Sequence, residues 1–198
     1  MKIVGITGGT GAGKTSALNV LEAHGAYTMD CDAVYHEMLR SCEPMKQELE
    51  SRFPGVLGEQ GVDTKRLGAV VFNDKSALAD LNEITHRHIE MEVDRNIERE
   101  REAGRRIFTI DAIALIESGR GAKCDYVFAV TAPAEVRARR IMLREGIDYE
   151  YAMMRIKAQQ SDEFYEKHCT RVLYNTFSTL EEFEKYCDTC FERMGIYE

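Results

Sequence analysis

No uninterrupted apolar run in the 198 residues approaches the roughly 18–20 that a membrane-spanning helix needs. The opening stretch, Met1 to Gly9, goes straight into a strand-like run and lacks the apolar core of a signal peptide. Proline is scarce, at 3 residues, and a hydrophobic share of 44% supplies a real core, so a disordered chain is excluded. Positive charge is in deficit: 26 Lys and Arg against 34 Asp and Glu leave a formal net charge of −8. That balance argues against nucleic-acid binding, which rests on clustered basic residues that neutralise phosphates. The 6 cysteines form no disulfide framework, and a chain of this length needs none. Cys187 and Cys190 alone have a metal-like spacing, with no second Cys or His pair at a suitable distance. They fall on the helical stripe Leu180, Phe183, Cys187, Cys190, Phe191, Met194 and read as buried, reduced thiols. Repeats and low-complexity linkers are also lacking. The expectation is a soluble, cytoplasmic, globular protein of one domain with an insertion, favoured as a monomer, with no membrane or nucleic-acid partner.

What is present alternates between strand and helix signals, the mark of an α/β domain with a parallel sheet. Compact apolar runs predict strands at Lys2–Thr7, Ala26–Asp30, Arg106–Ile110, Tyr126–Thr131 and Arg171–Tyr174, each covered on both faces. Helices are predicted over Thr15–Ala23, Ser76–Gly104, Ala134–Glu145, Asp148–Gln160 and Thr179–Met194. The long helix has the inner stripe Leu78, Leu81, Ile84, Ile89, Val93, Ile97. The last has Ser178 and Glu181 at capping-box spacing. The charge run that ends the long helix reads as a solvated face with mixed-sign pairs.

The strongest local signal is Gly8-Gly9-Thr10-Gly11-Ala12-Gly13-Lys14-Thr15. It satisfies G-x-x-x-x-G-K-[ST] directly after a strand and opens a helix, which is the context the motif requires. Glycines let backbone N–H groups turn inward around a phosphate, and the helix N-terminus adds its positive dipole end. Gly9, Gly11, Ala12, Gly13, Lys14, Thr15 and Ser16 are therefore expected to bind the phosphates of a nucleoside triphosphate. Lys14, exposed in the empty site, would reach the β- and γ-phosphates, and the Thr15 hydroxyl would ligate Mg²⁺. The fold expected is a P-loop three-layer α/β sandwich with a five-stranded parallel sheet. Neither N-K-x-D nor D-x-x-G occurs, which excludes a signalling GTPase, and a small-molecule kinase suits the length best.

Asp30 and Asp32 lie at the end of the second strand, where ligands of open α/β sheets bind. They read as a metal-water ligand and a proton acceptor, or Asp32 as a helix N-cap. Arg140 and Arg144, four apart on one helix face, could swing over a phosphate; Arg137, Arg139 and Arg155 read equally well as surface residues. Asp111 either orders Mg²⁺-bound water or is a strand-end turn residue.

The runs TGGTGAGKT, MDCDAVYHEML, THRHI and DAIALIESG, with RRIMLREG, RIKAQQ and RVLYN downstream, resemble the dephospho-coenzyme A kinase family from about residue 2 to 190. Phe72-Asn73-Asp74 also falls where the family has comparable residues. The resemblance implies phosphorylation of the ribose 3′-hydroxyl of dephospho-CoA by ATP with Mg²⁺. It implies a core of 1–32, 105–136 and 161–198, an acceptor-binding helical insertion near 33–105 and a lid near 137–160. Asp32 would be the acid-base residue and Arg140 the lid arginine, with Arg144 and Asn175 on the nucleotide. Thr7, Asp32, His86, Asp111 and Leu115 would meet the acceptor. The chain departs from the family pattern at Thr64, Arg87, Ile113, Tyr165, Thr170 and Thr176. Other small-molecule kinases on this fold, and a nucleotide-binding regulator without transfer activity, remain as alternatives.

Overall fold

The computed structural model describes residues 1–72 and 74–198, so Asn73 lies outside the described residues. The strands are β1 (Lys2–Gly8), β2 (Tyr27–Asp30), β3 (Leu57–Gly58), β4 (Gly61–Val62), β5 (Ile107–Asp111), β6 (Tyr126–Thr131) and β7 (Arg171–Tyr174). The helices are α1 (Lys14–Ala23), α2 (Cys31–Ser41), α3 (Glu43–Arg52), α4 (Thr64–Val71), α5 (Lys75–Glu102), α6 (Ala134–Glu145), α7 (Tyr149–Lys157), α8 (Asp162–His168) and α9 (Leu180–Arg193). Two compact units result, one of Met1–Met29 with Glu100–Glu198 and one of Asp30–Arg99.

The first unit is built on a five-stranded parallel sheet of order β2-β5-β1-β6-β7. In register, Ile6 of β1 lies beside Asp111 of β5 and Phe128 of β6, so the strands end together at the edge where β1 runs into the glycine loop. Alternation along each strand divides the core in two. Val4, Ile6, Phe128, Val130 and Leu173 pack with α1 and α9, whereas Ala129 and Val172 pack with Tyr165 of α8. Strands buried on both faces must be apolar throughout, which is why these segments read as continuous runs rather than alternating ones. Phe191 meets Phe128 edge-on at 4.9 Å between centroids, a geometry worth about 0.5–1.5 kcal/mol beyond simple burial. The far end of α1 is tied to the C-terminus. The His24 ring stacks on Tyr197 at 3.7 Å, and Tyr197 Oη donates to Asp188 Oδ1 at 2.8 Å, which also lies 2.9 Å from His24 Nε2. Helices α6 and α7 share a small core of their own, Ala138, Ile141, Ala152 and Ile156.

The second unit is helical apart from the β3–β4 hairpin. Buried Met38, Met45, Leu49, Leu67, Leu81 and Val93 hold it together. The stripe of α5 begins at Ala77 rather than Leu78, which is 43% exposed. One helix face also carries the buried polar residues Thr85, His88 and Asn96, and hydropathy alone does not mark these as internal. Arg87 donates to Glu48 Oε1, and His88 Nε2 lies 2.9 Å from Glu48 Oε2. Together the Arg87 and His88 contacts hold the Glu48 carboxyl below its ordinary range.

Two details of the closing helix differ from expectation. Leu180 is 63% exposed, and the capping box is shifted by one residue. Glu182 N–H donates to Thr179 Oγ1 at 3.2 Å, and Glu182 Oε2 accepts from Thr179 N–H at 3.1 Å. Cys187 and Cys190 are buried free thiols. Burial pushes the Cys187 thiol up to about 12, which keeps it protonated and unreactive at neutral pH. Because Thr179 is the cap, Thr179→Ala should lower unfolding stability by about 1 kcal/mol, and Ser178→Ala should leave it within a few tenths of that reference. Equal losses in urea denaturation would contradict this cap assignment.

Candidate active site

The glycine loop joins β1 to α1, and its backbone is shaped for an anion. Gly13 occupies the N-cap position of α1 with φ +107°, a conformation that a side-chain-bearing residue rarely adopts. No side chain caps α1, and its first turn contains no acid. In contrast, α2, α4, α7, α8 and α9 are capped by Asp30, Asp63, Asp148, Ser161 and Thr179. Helices α3 and α6 also start without a side-chain cap, but only α1 starts from the glycine loop. With the Ser16 N–H on Gly13 O, the Lys14 and Thr15 N–H groups and the dipole of α1 are suited to an external negative group.

The outward-facing carbonyls of the loop are all held. Arg137 Nε donates to Thr10 O at 3.0 Å. Arg140 Nη1 donates to Gly11 O and Ala12 O at 3.2 Å each. Asn175 Nδ2 donates to Ala12 O at 2.9 Å, and Asn175 is itself fixed by its N–H bond to Thr131 O at 2.7 Å. A planar peptide with its C=O drawn outward turns its N–H the other way, so these bonds turn the Gly11 and Gly13 amides inward. The Ala12 N–H closes a turn onto Gly9 O at 3.1 Å, and the Thr10 N–H goes to Gln159. Around them lies a cleft of about 320 Å³ lined by Gly9, Gly13, Lys14, Thr15, Asp111 and the arginines Arg140 and Arg144, among others. Three cations against one carboxylate give it a positive field suited to phosphate.

Several sequence expectations are corrected by this geometry. Lys14 is not exposed: its side chain is 17% accessible and Nζ bonds Asp111 Oδ1 at 2.8 Å. Asp111 is therefore the partner of the loop lysine rather than a turn residue. Asp32 is not the N-cap of α2. Asp30 is, its Oδ1 accepting from the N–H groups of Asp32 and Ala33 at 2.9 Å each, which leaves Asp32 exposed in the first turn. Thr7 is fully buried, with its hydroxyl donated to Ile113 O at 2.9 Å, and Leu115 is fully buried in the core. Neither presents a side chain to a ligand. Thr15 is exposed, while Ser16 is buried with its N–H on Gly13 O. Arg140 is turned onto loop carbonyls rather than free to swing, and Arg144 is exposed and bonded to Glu145. His86 is half-buried on α5.

Arg137, for which sequence spacing leaves a surface role equally open, is not a surface residue. It is only 8% exposed and burial pushes its guanidinium below the ordinary value. Gln159, which the RIKAQ run does not single out by itself, uses its amide to grip Thr10 of the loop. Arg137 sits in the first turn of α6 and Gln159 two residues past α7, and nothing in their sequence spacing joins them until α6 and α7 are seen to pack together.

A glycine loop between the central strand and the first helix of a parallel three-layer sheet, with a lysine inside it and arginines behind it, defines a P-loop kinase fold. A sequence model of the family described as dephospho-CoA kinase matches residues 2–181. The chain is similar to the dephospho-CoA kinase of Moorella thermoacetica, with 36% identity over 87% of this chain and 83% of that protein. It is also similar to the dephospho-CoA kinase of Aquifex aeolicus, with 33% identity over 98% of each. Its backbone matches TT1252 from Thermus thermophilus with TM-score 0.79, 29% identity and coverage of 98% and 97% of the two chains. The protein belongs to the dephospho-CoA kinase family.

Removing the loop lysine should test the cleft without testing the fold, because Lys14 lies at its surface rather than in the hydrophobic core. Lys14→Ala should reduce ATP-dependent phosphoryl transfer by about 10²-fold or more, since electrostatic stabilisation is the main catalytic contribution in this chemistry. Circular dichroism should be unchanged. Turnover equal to that of the parent protein would refute the role of Lys14.

Proposed function

We propose that the protein transfers the γ-phosphoryl group of ATP to the ribose 3′-hydroxyl of dephospho-CoA, giving coenzyme A in the last step of its synthesis. The observation that carries this reading is the inward-facing glycine cradle at the uncapped start of α1 in a chain of this family. Membership supplies the acceptor, and the cradle supplies the reason why a triphosphate is the donor.

In this reading the loop amides and Lys14 bind the phosphates and oppose the charge that develops during transfer. Asp111 holds the ammonium of Lys14 in place until a phosphate competes for it. Arg140 and Asn175 keep the loop in shape, and Arg144, exposed at the rim, is available to the transferring group. The donor set suits Mg²⁺, a hard cation that usually keeps waters and phosphate oxygens as ligands. The exposed Thr15 hydroxyl would be its protein ligand, and the described residues contain no cluster of three or more His, Cys, Asp or Glu side chains able to cage a metal. When bound with the nucleotide, the ion neutralises phosphate charge.

The acceptor falls to the unit Asp30–Arg99. Asp32 accepts a hydrogen bond from the 3′-hydroxyl and takes its proton as the phosphorus–oxygen bond forms. Asp30, committed to capping α2, acts at most on metal-bound water. His86 lies on the acceptor side. No described helix is long and apolar enough to cross a membrane, and the acceptor is a small molecule.

Purified protein with Mg·ATP should form ADP in the presence of dephospho-CoA, and not with AMP, adenosine or pantetheine phosphate, while the acceptor gains the mass of one phosphate. ADP formed only with another member of that panel would replace the acceptor. Asp32→Asn should lower kcat by about 10²–10⁴-fold with ATP affinity within a few-fold. Asp30→Asn should cost far less, because asparagine also caps a helix well. A larger kcat loss in Asp30→Asn would exchange the two roles.

A further inference from the structure

Thr10, third residue of the glycine loop, is gripped through each of its polar groups by side chains from α6 and the segment after α7. Gln159 Oε1 accepts from Thr10 N–H at 3.1 Å, and Gln159 Nε2 donates to Thr10 Oγ1 at 2.9 Å. Arg137 Nε takes the Thr10 carbonyl at 3.0 Å. Arg137 Nη2 also donates to Gln159 Oε1, so the two gripping residues brace each other. The close fit extends to Gly9, where a Cβ would collide with both the guanidinium and the carboxamide. A guanidinium as buried as that of Arg137 is retained only where good acceptors meet it, and here those acceptors are a loop carbonyl and the amide that completes the grip.

We propose that Gln159, acting with Arg137, is a positioning residue for the nucleotide: it locks the Thr10 peptide so that the loop keeps the curvature a phosphate requires. The Thr10 N–H is drawn back to Gln159 and away from the ligand, and the Lys14 and Thr15 amides at the start of α1 are left to the phosphates. The grip also ties the two ends of the 137–160 segment to one loop residue, so the orientation of α6 and α7 and the shape of the loop are set together. The effect belongs to the nucleotide half of the reaction alone. This inference rests on the cleft being an ATP site.

The test is titration calorimetry of Mg·ATP with steady-state kinetics on Gln159→Leu, Gln159→Glu and Thr10→Val. Gln159→Leu strands a loop N–H and a buried guanidinium, and should weaken ATP binding by about 10-fold or more, with the KM for dephospho-CoA within about two-fold. Gln159→Glu keeps the oxygen that receives both Thr10 N–H and Arg137, and the Thr10 hydroxyl can turn to donate, so it should recover most of the affinity. Thr10→Val removes the hydroxyl alone and should weaken ATP by a smaller factor. Combined with Gln159→Leu it should add less than the product of the two, as expected for partners in one network. Gln159→Leu with unchanged ATP affinity, an equal rise in both KM values, or a loss of thermal stability alone would overturn the proposal. If Gln159→Leu does not fold, an unaltered ATP affinity in Thr10→Val overturns it, and a weakened one with the KM for dephospho-CoA kept supports it. Should the parent protein bind ATP and transfer nothing to dephospho-CoA, the acceptor assignment fails while the ATP titrations still decide the grip.

Discussion

The direction in which three loop carbonyls point governs this active site. A chain segment that turns its amides toward a phosphate must turn its carbonyls away, and buried carbonyls need donors. Here Arg137, Arg140 and Asn175 supply them for Thr10, Gly11 and Ala12. Those donors come from α6 and from the end of β7, so the loop's shape depends on the sheet order that sets β7 beside β6 and β6 beside β1. The opposite end of α1 is fixed by the His24, Tyr197 and Asp188 contacts. The cradle is thereby held from behind and along its helix axis, and Lys14 is stored against Asp111 at its front.

Much of this was legible beforehand because the physics involved is local. β6, β7 and α6 fall at their expected bounds, since apolar strands covered on both faces and a Pro-led helix start leave clear marks. The glycine motif gave the loop, and its strand–helix context gave the direction of α1. The carbonyl donors were harder. Asn175 rests on family resemblance and Arg140 on helix spacing as well, while Arg137 is hidden because a buried arginine and a surface arginine look alike in one dimension, and Gln159 because no local pattern marks it. Helix caps moved by one or two positions for a related reason: neighbouring candidates such as Ser178 and Thr179, or Asp30 and Asp32, differ in backbone angle rather than chemistry. The short hairpin Leu57–Val62 and the two-turn α8 carry too few residues for a periodic signal.

Positions where the chain departs from the family pattern are mostly absorbed by packing. Tyr165 fills the core between α8 and the sheet. The Thr170 hydroxyl accepts from Val127 N–H at 2.9 Å, and Ile113 contributes its carbonyl to Thr7. Arg87 finds Glu48 within its own unit. These four positions have local partners, and of them Ile113 also lines the cleft of the glycine loop. The unit Asp30–Arg99 also carries an open pocket of about 400 Å³ lined by Met38, Cys42, His88, Met91 and Arg95, among others. His88 rather than His86 borders it, a distinction that sequence spacing could not draw.

The central claim is that the loop is preformed by donors to its carbonyls and closes on phosphate without rearranging. A crystal structure with a non-hydrolysable ATP analogue and Mg²⁺ tests it most directly. The account requires phosphate oxygens within hydrogen-bond distance of the α1 first-turn amides, Lys14 Nζ moved from Asp111 toward the phosphates, and the Arg137–Thr10 and Asn175–Ala12 bonds intact. Phosphates bound with those two carbonyls flipped into the cleft, or bound away from the start of α1, would contradict it.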